Sequence, residues 1–287
     1  MAVDSAISGT LIPIGGSEDK GENQKTLRRF LEKGVLRHVL DEAKGNASKV
    51  VVIPTASRIP EEVGENYIKG FGLLGCTNVE VLNIRDKRQS EDKGILAAAA
   101  EADIVFLTGG NQIRIPQKIG GSSLHRLMVE RYRNDGLVIA GTSAGAMCMA
   151  EHMIAGGSSS ESLVKGAVKL KGGMGLIPEL IVDTHFVRRG RFGRLAEAVA
   201  AHPDRLGIGI AEDTGVIIRG GGSFTVIGSG LVMVMDPSAL THNTHALLKM
   251  GTPMSLSNLT VHILANGDRF TLGNKQVDVL PIGKAFV

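Results

Sequence analysis

The feature that most constrains the fold is a regular alternation of short apolar runs with helix-compatible segments over the first half of the chain. The run KVVVIP at residues 49–54 is nearly continuous in β-branched residues, as in a strand buried on both faces. Further strands are predicted at residues 11–14, 79–84, 103–107 and 137–140. Because strand and helix alternate about five times within roughly 150 residues, the sequence predicts an α/β fold with a doubly wound, mostly parallel sheet sandwiched by helices.

Helices are predicted between these strands by apolar spacing and by terminal signals. Apolar residues at helical spacing predict a helix within residues 26–43, namely Leu27, Phe30, Leu31, Val35 and Val39. Pro60 opens a second helix, and Glu61 and Glu62 in its first turn suit the helix dipole. The sequence predicts further helices at residues 90–101, 124–134 and 195–201.

The second half of the chain is less regular. Short strands are predicted at residues 180–183 and 207–211, and a hairpin turns at the three glycines 220–222. Short alternating runs after Gly230 predict antiparallel strands added at the edge of the sheet. Residues 156–162 (GGSSSES) are interpreted as a solvated connection. With no internal repeat and no long linker, we expect residues 1–287 to form one domain.

Composition excludes several classes of function. Only 3% of the residues are aromatic and none is tryptophan, which argues against a stacking platform for single-stranded nucleic acid. The formal net charge of +3 is too small to indicate DNA binding without a concentrated basic patch. The values of 43% hydrophobic and 21% charged residues are ordinary for a soluble enzyme. We therefore expect no nucleic-acid partner.

Cysteine, histidine and targeting patterns point to a cytoplasmic protein without a metal. Cys76 and Cys148 lack metal or redox spacing and are interpreted as free thiols. His242 and His245 have a spacing that suits a metal, but no third ligand is evident nearby. No signal peptide and no apolar window of about 18 residues is present, so we expect neither export nor membrane insertion. No cofactor motif stands out.

The stretch LVIAGTSAGAMCM at residues 137–149 combines a predicted strand, a tight turn and a helix start. Ser143 lies at the apex, within the G-x-S-x-G pattern of a nucleophile elbow. Small neighbours let the backbone take the strained turn that exposes a serine hydroxyl. On local pattern alone, a plain turn between a buried strand and a buried helix is an equally good interpretation.

Two later strand ends supply partners for a serine nucleophile. His185 follows the strand at residues 180–183 and could act as the base, while Glu212 follows the next strand and could orient the imidazole. Asp213 is a direct rival for that carboxylate role. Because each residue follows an apolar run, we expect all of them at the carboxyl edge of one sheet.

A tetrahedral intermediate needs hydrogen-bond donors for its oxyanion. The amide of Ala144, just after the predicted nucleophile, is one candidate. The second is the amide of Gly110 or Asn111, since the pair Gly109–Gly110 ends another predicted strand and allows close backbone approach. A plain turn remains the alternative for this glycine pair.

Charged residues flank the predicted base. Asp183 lies two residues before His185, which on a strand would put both side chains on one face. Four arginines follow within seven residues, namely Arg188, Arg189, Arg191 and Arg194. Such a run is usually a solvated helix face, but beside a catalytic histidine it also suits forked recognition of substrate carboxylates.

Five motifs together resemble a known family. They are IGGSEDK (14–20), TGGNQ (108–112), GTSAGA (141–146), DTHF (183–186) with the arginines after it, and GIAED (209–213). Over roughly residues 15–227, their order and spacing resemble the cyanophycinases, serine peptidases of the family that also contains aspartyl dipeptidase E. The resemblance implies a glutamine-amidotransferase-like α/β sandwich, no cofactor and a homodimer, for which the apolar region 230–272 is one place where an interface could form.

The resemblance also implies a substrate and a set of site residues. Cyanophycin is a poly-aspartate backbone with an arginine on each β-carboxyl, and cyanophycinases release β-Asp-Arg dipeptides from it. The family's triad falls on Ser143, His185 and Glu212. Its substrate-contacting positions fall on Gln112, Asp183, Thr184, Arg189, Arg191 and Arg194. The family pattern has glutamine where this chain has Thr184, which affects the contact expected there.

Three alternatives stay open at the level of sequence. A dipeptidase that cuts after N-terminal aspartate is the nearest, although such a small substrate gives a long basic segment little to bind. An α/β-hydrolase esterase places its acid before its histidine in the chain, opposite to the order here. A non-enzymatic ligand-binding protein with a flavodoxin-like sheet is the third.

Overall fold

The computed structural model describes residues 7–20, 31, 33–157 and 161–287. In these ranges the strands are β1 (Thr10–Ile14), β2 (Val50–Ile53), β3 (Val79–Val81), β4 (Ile104–Leu107), β5 (Val138–Thr142), β6 (His152–Gly157), β7 (Val168–Gly172), β8 (Leu180–Asp183), β9 (Leu206–Ile210), β10 (Thr214–Arg219), β11 (Ser223–Gly228), β12 (Val232–Asp236), β13 (His242–Asn243), β14 (Leu256–Ser257), β15 (Thr260–Leu264), β16 (Arg269–Thr271) and β17 (Val277–Asp278). The α-helices are α1 (Val35–Asp41), α2 (Pro60–Leu73), α3 (Lys93–Glu101), α4 (Arg114–Lys118), α5 (Ser123–Asn134), α6 (Ala144–Met147) and α7 (Phe192–Ala201).

The main sheet has the strand order β17-β16-β11-β10-β1-β5-β4-β2-β3. The five neighbouring strands β1, β5, β4, β2 and β3 are parallel to one another. On the other side of β1, the strands β10, β11, β16 and β17 continue the sheet in antiparallel fashion. Each interior strand alternates its side chains between two hydrophobic cores, one lined by α1 and α2 and the other by α3, α4 and α5. The predicted α/β class, with a parallel sheet between helices, is confirmed.

A second sheet of four strands lies beside the main one, in the order β15-β12-β9-β8. Here β8 and β9 are parallel, and β12 and β15 are added in antiparallel fashion. The prediction that the alternating runs after Gly230 all extend one sheet is therefore wrong for β12 and β15, although it holds for β16. An alternation of apolar and polar residues identifies a strand but does not specify its partner strand. The sequence therefore could not show that these strands belong to two sheets.

Several helix boundaries differ from the predicted ones. Helix α3 begins at Lys93 rather than at residue 90, because the Asp92 side chain accepts hydrogen bonds from the amides of Gly94 and Ile95 and caps the first turn. Helix α7 begins at Phe192, three residues earlier than predicted. Of the helix predicted at residues 26–43, only Val35–Asp41 is described as helix, since residues 21–30 and 32 lie outside the described ranges.

The structure also bears on three smaller predictions, which concern residues 156–162, the two cysteines and membrane insertion. Within residues 156–162, β6 ends at Gly157, and positions 158–160 are outside the described part. Cys76 and Cys148 are both free and buried. In the part of the chain that the structure describes, no helix is long and apolar enough to cross a membrane.

Candidate active site

Three strand ends bring Ser143, His185 and Glu212 into one hydrogen-bonded chain. The Ser143 Oγ lies 3.0 Å from His185 Nε2, and His185 Nδ1 lies 2.6 Å from Glu212 Oε1. Ser143 follows β5 of the main sheet, whereas His185 and Glu212 follow β8 and β9 of the second sheet. The expectation that all three lie on the edge of one sheet is therefore wrong, because the site forms where two sheets meet.

The backbone at Ser143 has the strain of a nucleophile elbow. Its φ of 51° and ψ of −107° lie in a region that a non-glycine residue rarely adopts. The Ser143 amide donates to the Ile14 carbonyl at 2.9 Å, which ties the turn to β1. A Cβ at Gly145 would collide with the Leu107 carbonyl, so glycine is required for α6 to pack onto β4. A plain turn explains neither the strained φ at Ser143 nor its contact with a histidine.

The loop after β1 holds the histidine against the elbow. The His185 amide donates to the Gly15 carbonyl at 2.8 Å, and the Asp213 amide donates to the Gly16 carbonyl at 2.9 Å. Gly16 has a φ of 100°, and any Cβ there would overlap the imidazole of His185. The glycine pair after β1 thus makes room for the His185 imidazole, a role that the sequence pattern alone did not assign to it.

The charges around His185 suit a neutral base. Burial lowers the pKa of His185, although the hydrogen bond to Glu212 partly raises it again. For Glu212, burial raises the pKa, but hydrogen bonds from Arg188 and His185 outweigh burial and hold the pKa below its ordinary value. Because Glu212 is ionised and accepts only, Nδ1 of His185 carries the ring proton, and Nε2 is left to accept from the Ser143 hydroxyl.

Asp213, the rival carboxylate, faces a different part of the structure. Its side chain accepts from the Asp19 amide at 3.1 Å and from the Ser229 hydroxyl at 2.5 Å. Glu212 is the residue in contact with the imidazole, and its second oxygen accepts from Arg188 Nη1 at 2.8 Å.

The candidate oxyanion donors differ in whether their amides are already hydrogen-bonded. The Asn111 amide donates to the Ala56 carbonyl at 2.9 Å and is therefore already used. Among the described residues, no backbone acceptor takes the amides of Ala144 or Gly110. The adjacent Gly109 lies next to Ser143, since a Cβ there would be 3.5 Å from the Ser143 Cβ. Ala144 and Gly110 stay the two predicted donors.

The predicted same-face arrangement of Asp183 and His185 is wrong. Asp183 ends β8 with a fully buried side chain, and His185 lies past the strand at a φ of 48°. The Asp183 carboxylate accepts from Nε of Arg194 at 2.8 Å and from Nη1 of Arg191 at 3.1 Å. Arg194 is itself 4% exposed. Asp183 and Arg194 therefore form an internal ion pair, and substrate cannot reach either without rearrangement.

The other predicted substrate residues differ in accessibility. Thr184 is fully buried, and its hydroxyl has no partner among the described residues. Arg191 is half-buried, and burial lowers its pKa to about 10, so it stays protonated at neutral pH. The half-buried Gln112 donates its amide to the Ile154 carbonyl at 2.9 Å. Arg189 is exposed.

A cavity beside Ser143 contains residues that the sequence did not single out. It has a volume of about 270 Å³ and is lined by side chains including Glu18, Lys20 and Tyr67, together with Ser143 and His185. The sequence signal is that Glu18 and Lys20 lie in the charged stretch soon after the glycine pair that follows β1, and such a stretch is usually solvated. In the described ranges, no cluster of three or more His, Cys, Asp or Glu side chains is placed to hold a metal ion.

Comparisons with known proteins identify the family of the chain. The model of peptidase family S51 matches residues 11–226. The chain is 41% identical over 256 residues to a cyanophycinase of Trichormus variabilis, a match that covers 89% of this chain and 83% of the relative. It is 38% identical over 250 residues to a cyanophycinase of Geminocystis herdmanii, covering 87% and 89% of the two chains.

A solved structure supports the fold independently. The crystal structure of a peptidase from an acI-B1 actinobacterium is similar with a TM-score of 0.61 at 20% identity, over 90% of this chain and 97% of that chain. At that identity the likeness concerns the fold alone. The family model and the relatives each cover most of the chain, and the chain therefore belongs to peptidase family S51 and is a serine-type peptidase.

Proposed function

We propose that this peptidase hydrolyses the poly-aspartate backbone of cyanophycin and releases β-Asp-Arg dipeptides. The observation that carries the proposal is the unbroken hydrogen-bonded chain from Ser143 through His185 to Glu212, on a strained elbow. The similarity to cyanophycinases over most of the chain supports the choice of substrate.

The contacts between these atoms support the following catalytic cycle. Nε2 of His185 takes the proton of the Ser143 hydroxyl as its oxygen attacks a backbone carbonyl of the polymer. The carbonyl oxygen becomes an oxyanion, which the amides of Ala144 and Gly110 stabilise. The imidazolium then protonates the leaving amine, the C–N bond breaks, and an acyl-enzyme remains on Ser143. Water, deprotonated by His185, hydrolyses that ester and restores the serine.

Glu212 has an orienting and an electrostatic role in this cycle. Its contact with Nδ1 fixes the imidazole tautomer and stabilises the imidazolium that forms during attack. Arg188 holds the second carboxylate oxygen at 2.8 Å. Because the Arg188 side chain is 73% exposed, solvent screens this ion pair and its contribution is small.

The arginines near the site divide into two groups by accessibility. We infer that Arg194, and in part Arg191, position the turn that carries His185, since both bind the buried Asp183. Arg189 is exposed on that turn and is available to a charged polymer. Its guanidinium suits the carboxylates of the arginine side arms of cyanophycin.

The direct test incubates the purified protein with cyanophycin and follows released dipeptide by mass spectrometry. We expect β-Asp-Arg from the unaltered protein and none above background from Ser143→Ala. Folded protein that releases no dipeptide would contradict the proposed substrate. Hydrolysis of Asp-Leu in place of the polymer would assign the site to a dipeptidase that cuts after N-terminal aspartate.

A further inference from the structure

A buried carboxylate that the triad does not use lies next to the elbow. The Glu18 side chain is 1% exposed. Its Oε2 accepts from the Thr142 hydroxyl at 2.6 Å, and its Oε1 accepts from the Tyr67 hydroxyl. Burial, together with the charge of Glu18, raises the pKa of Tyr67 well above its ordinary value, so the phenol keeps its proton and donates. Both oxygens of Glu18 are thus satisfied inside the protein.

Lys20 is held above this carboxylate by two contacts. Its Nζ lies 3.4 Å from Glu18 Oε1 and 4.8 Å from the centre of the Tyr67 ring. Val63, Asn66 and Gly109 line the same cavity as Lys20 and Ser143. The Lys20 side chain is 28% exposed, so solvent or a ligand can reach the ammonium. An ammonium has three donors, and the ion pair with Glu18 does not use them all.

The geometry points to a carboxylate-binding subsite at Lys20, in the cavity that Ser143 also lines. Glu18 cannot serve a substrate cation there, because its side chain is buried and both its oxygens already accept. Among the described residues that line the cavity, Lys20 is therefore the charged group available to a ligand. Ion pairing and the aromatic ring fix its position before a ligand arrives, which reduces the entropy lost on binding.

The position of the subsite specifies how the polymer lies in the active site. This step rests on the proposed function, because it takes cyanophycin as the substrate. In cyanophycin the arginine is joined through its α-amino group, so its α-carboxylate and its guanidinium are both free. The cavity of about 270 Å³ is smaller than most small-molecule pockets, which suits one side arm of a polymer. We place there the arginine α-carboxylate of the residue whose carbonyl Ser143 attacks.

Binding to a Ser143→Ala protein tests the subsite without any turnover. Calorimetry compares β-Asp-Arg with two derivatives, one amidated at the arginine α-carboxyl and one amidated at the aspartate α-carboxyl. We expect the arginine amide to bind about tenfold more weakly than the free acid, because a charge-assisted contact is lost. After a further Lys20→Met change, the free acid and the arginine amide should bind alike. The derivative amidated at the aspartate shows whether the preference for the free acid comes from the aspartate α-carboxylate instead of the arginine α-carboxylate.

Two matched variants control for packing. Lys20→Arg keeps the charge and should keep the preference for the free acid. Lys69→Met removes an exposed lysine next to Gly70, where an added Cβ would lie 3.4 Å from the Lys20 Cβ, and should change nothing. The inference is overturned if the arginine amide binds as well as the acid, if neither binds, or if Lys20→Met keeps the full preference. Failure of the proposed function is seen separately, as no turnover of cyanophycin by the unaltered protein.

Discussion

The two sheets hold their parts of the active site by different means. On the main sheet, Ser143 is held by backbone hydrogen bonding to Ile14 and by close contacts that only glycine permits at Gly145. On the second sheet, the His185 amide also donates to a backbone carbonyl, that of Gly15, but ion pairs are added. Arg188 binds Glu212 at the surface, and Arg194 binds Asp183 inside. The proposed nucleophile is thus fixed by backbone and steric contacts, whereas ion pairs also surround the proposed base and acid. Substitutions of charge should therefore act mainly through the second sheet.

The largest effect is expected at the orienting carboxylate. Glu212→Gln should keep the fold and reduce kcat by about 10⁴, because the imidazole loses the partner that fixes its tautomer. The neighbouring Asp213→Asn is the matched control and should keep most of the turnover, since Asp213 binds the Asp19 amide and the Ser229 hydroxyl. Steady-state kinetics on cyanophycin measures both. The reverse order of damage would show that Asp213 is the acid.

The internal ion pair should dominate stability on the second sheet. Asp183→Asn leaves Arg194 buried without its counter-charge and should lower the free energy of unfolding by about 3–5 kcal/mol. Asp204→Asn removes a carboxylate that pairs with Arg205 at the surface and should change it by less than about 1 kcal/mol. Urea unfolding compares the two. Equal effects would mean that burial of the Asp183 pair contributes nothing.

A smaller effect is expected at the surface contact of the acid. Arg188→Gln should lower kcat by about two- to threefold, because solvent screens an exposed ion pair. The same loss should appear when salt is added to the unaltered protein, since added ions screen the pair further. Kinetics at low and high ionic strength tests this prediction, and a hundredfold loss in the variant would refute a screened contact.

The smallest expected effect is a shift in pH dependence. His185 must be neutral to accept the serine proton, so kcat/KM falls as pH drops through its pKa. Burial lowers that pKa below 6.5, and the charge of Arg189 lowers it further, so the acid limb should lie below pH 6.5. Arg189→Gln should move the limb upward. A limb above pH 6.5 in the unaltered protein, or one that moves downward in the variant, would contradict this.

Much of the main sheet could be predicted because buried parallel strands have a strong local signature. The runs that form β2 and β4 are apolar throughout and fully buried. The second sheet could not be predicted, because the alternation in β12 does not specify that β9 is its partner. Strands do end shortly before Ser143, His185 and Glu212, as predicted, but these strands belong to two sheets and not to one.

For single charged residues of the site, too, the sequence does not specify the partner. Sequence spacing could place Ser143, His185 and Glu212 at strand ends, and the structure brings them into contact. It could not show that Glu18 is buried, since a charged stretch after a glycine pair is usually solvated. Nor could it show that Arg194 points inward to Asp183, because burial of a charge depends on a partner distant in the chain.

The central claim is that Ser143 on the main sheet is a nucleophile activated by His185 from the second sheet. Covalent labelling with an organofluorophosphonate tests it most directly, with peptide mapping by mass spectrometry to find the modified residue. We predict a single adduct on Ser143, formed at least about 10²-fold more slowly in His185→Gln, because general-base assistance typically contributes 10²- to 10⁴-fold. An adduct on another serine, or equal labelling rates in the two proteins, would contradict the account.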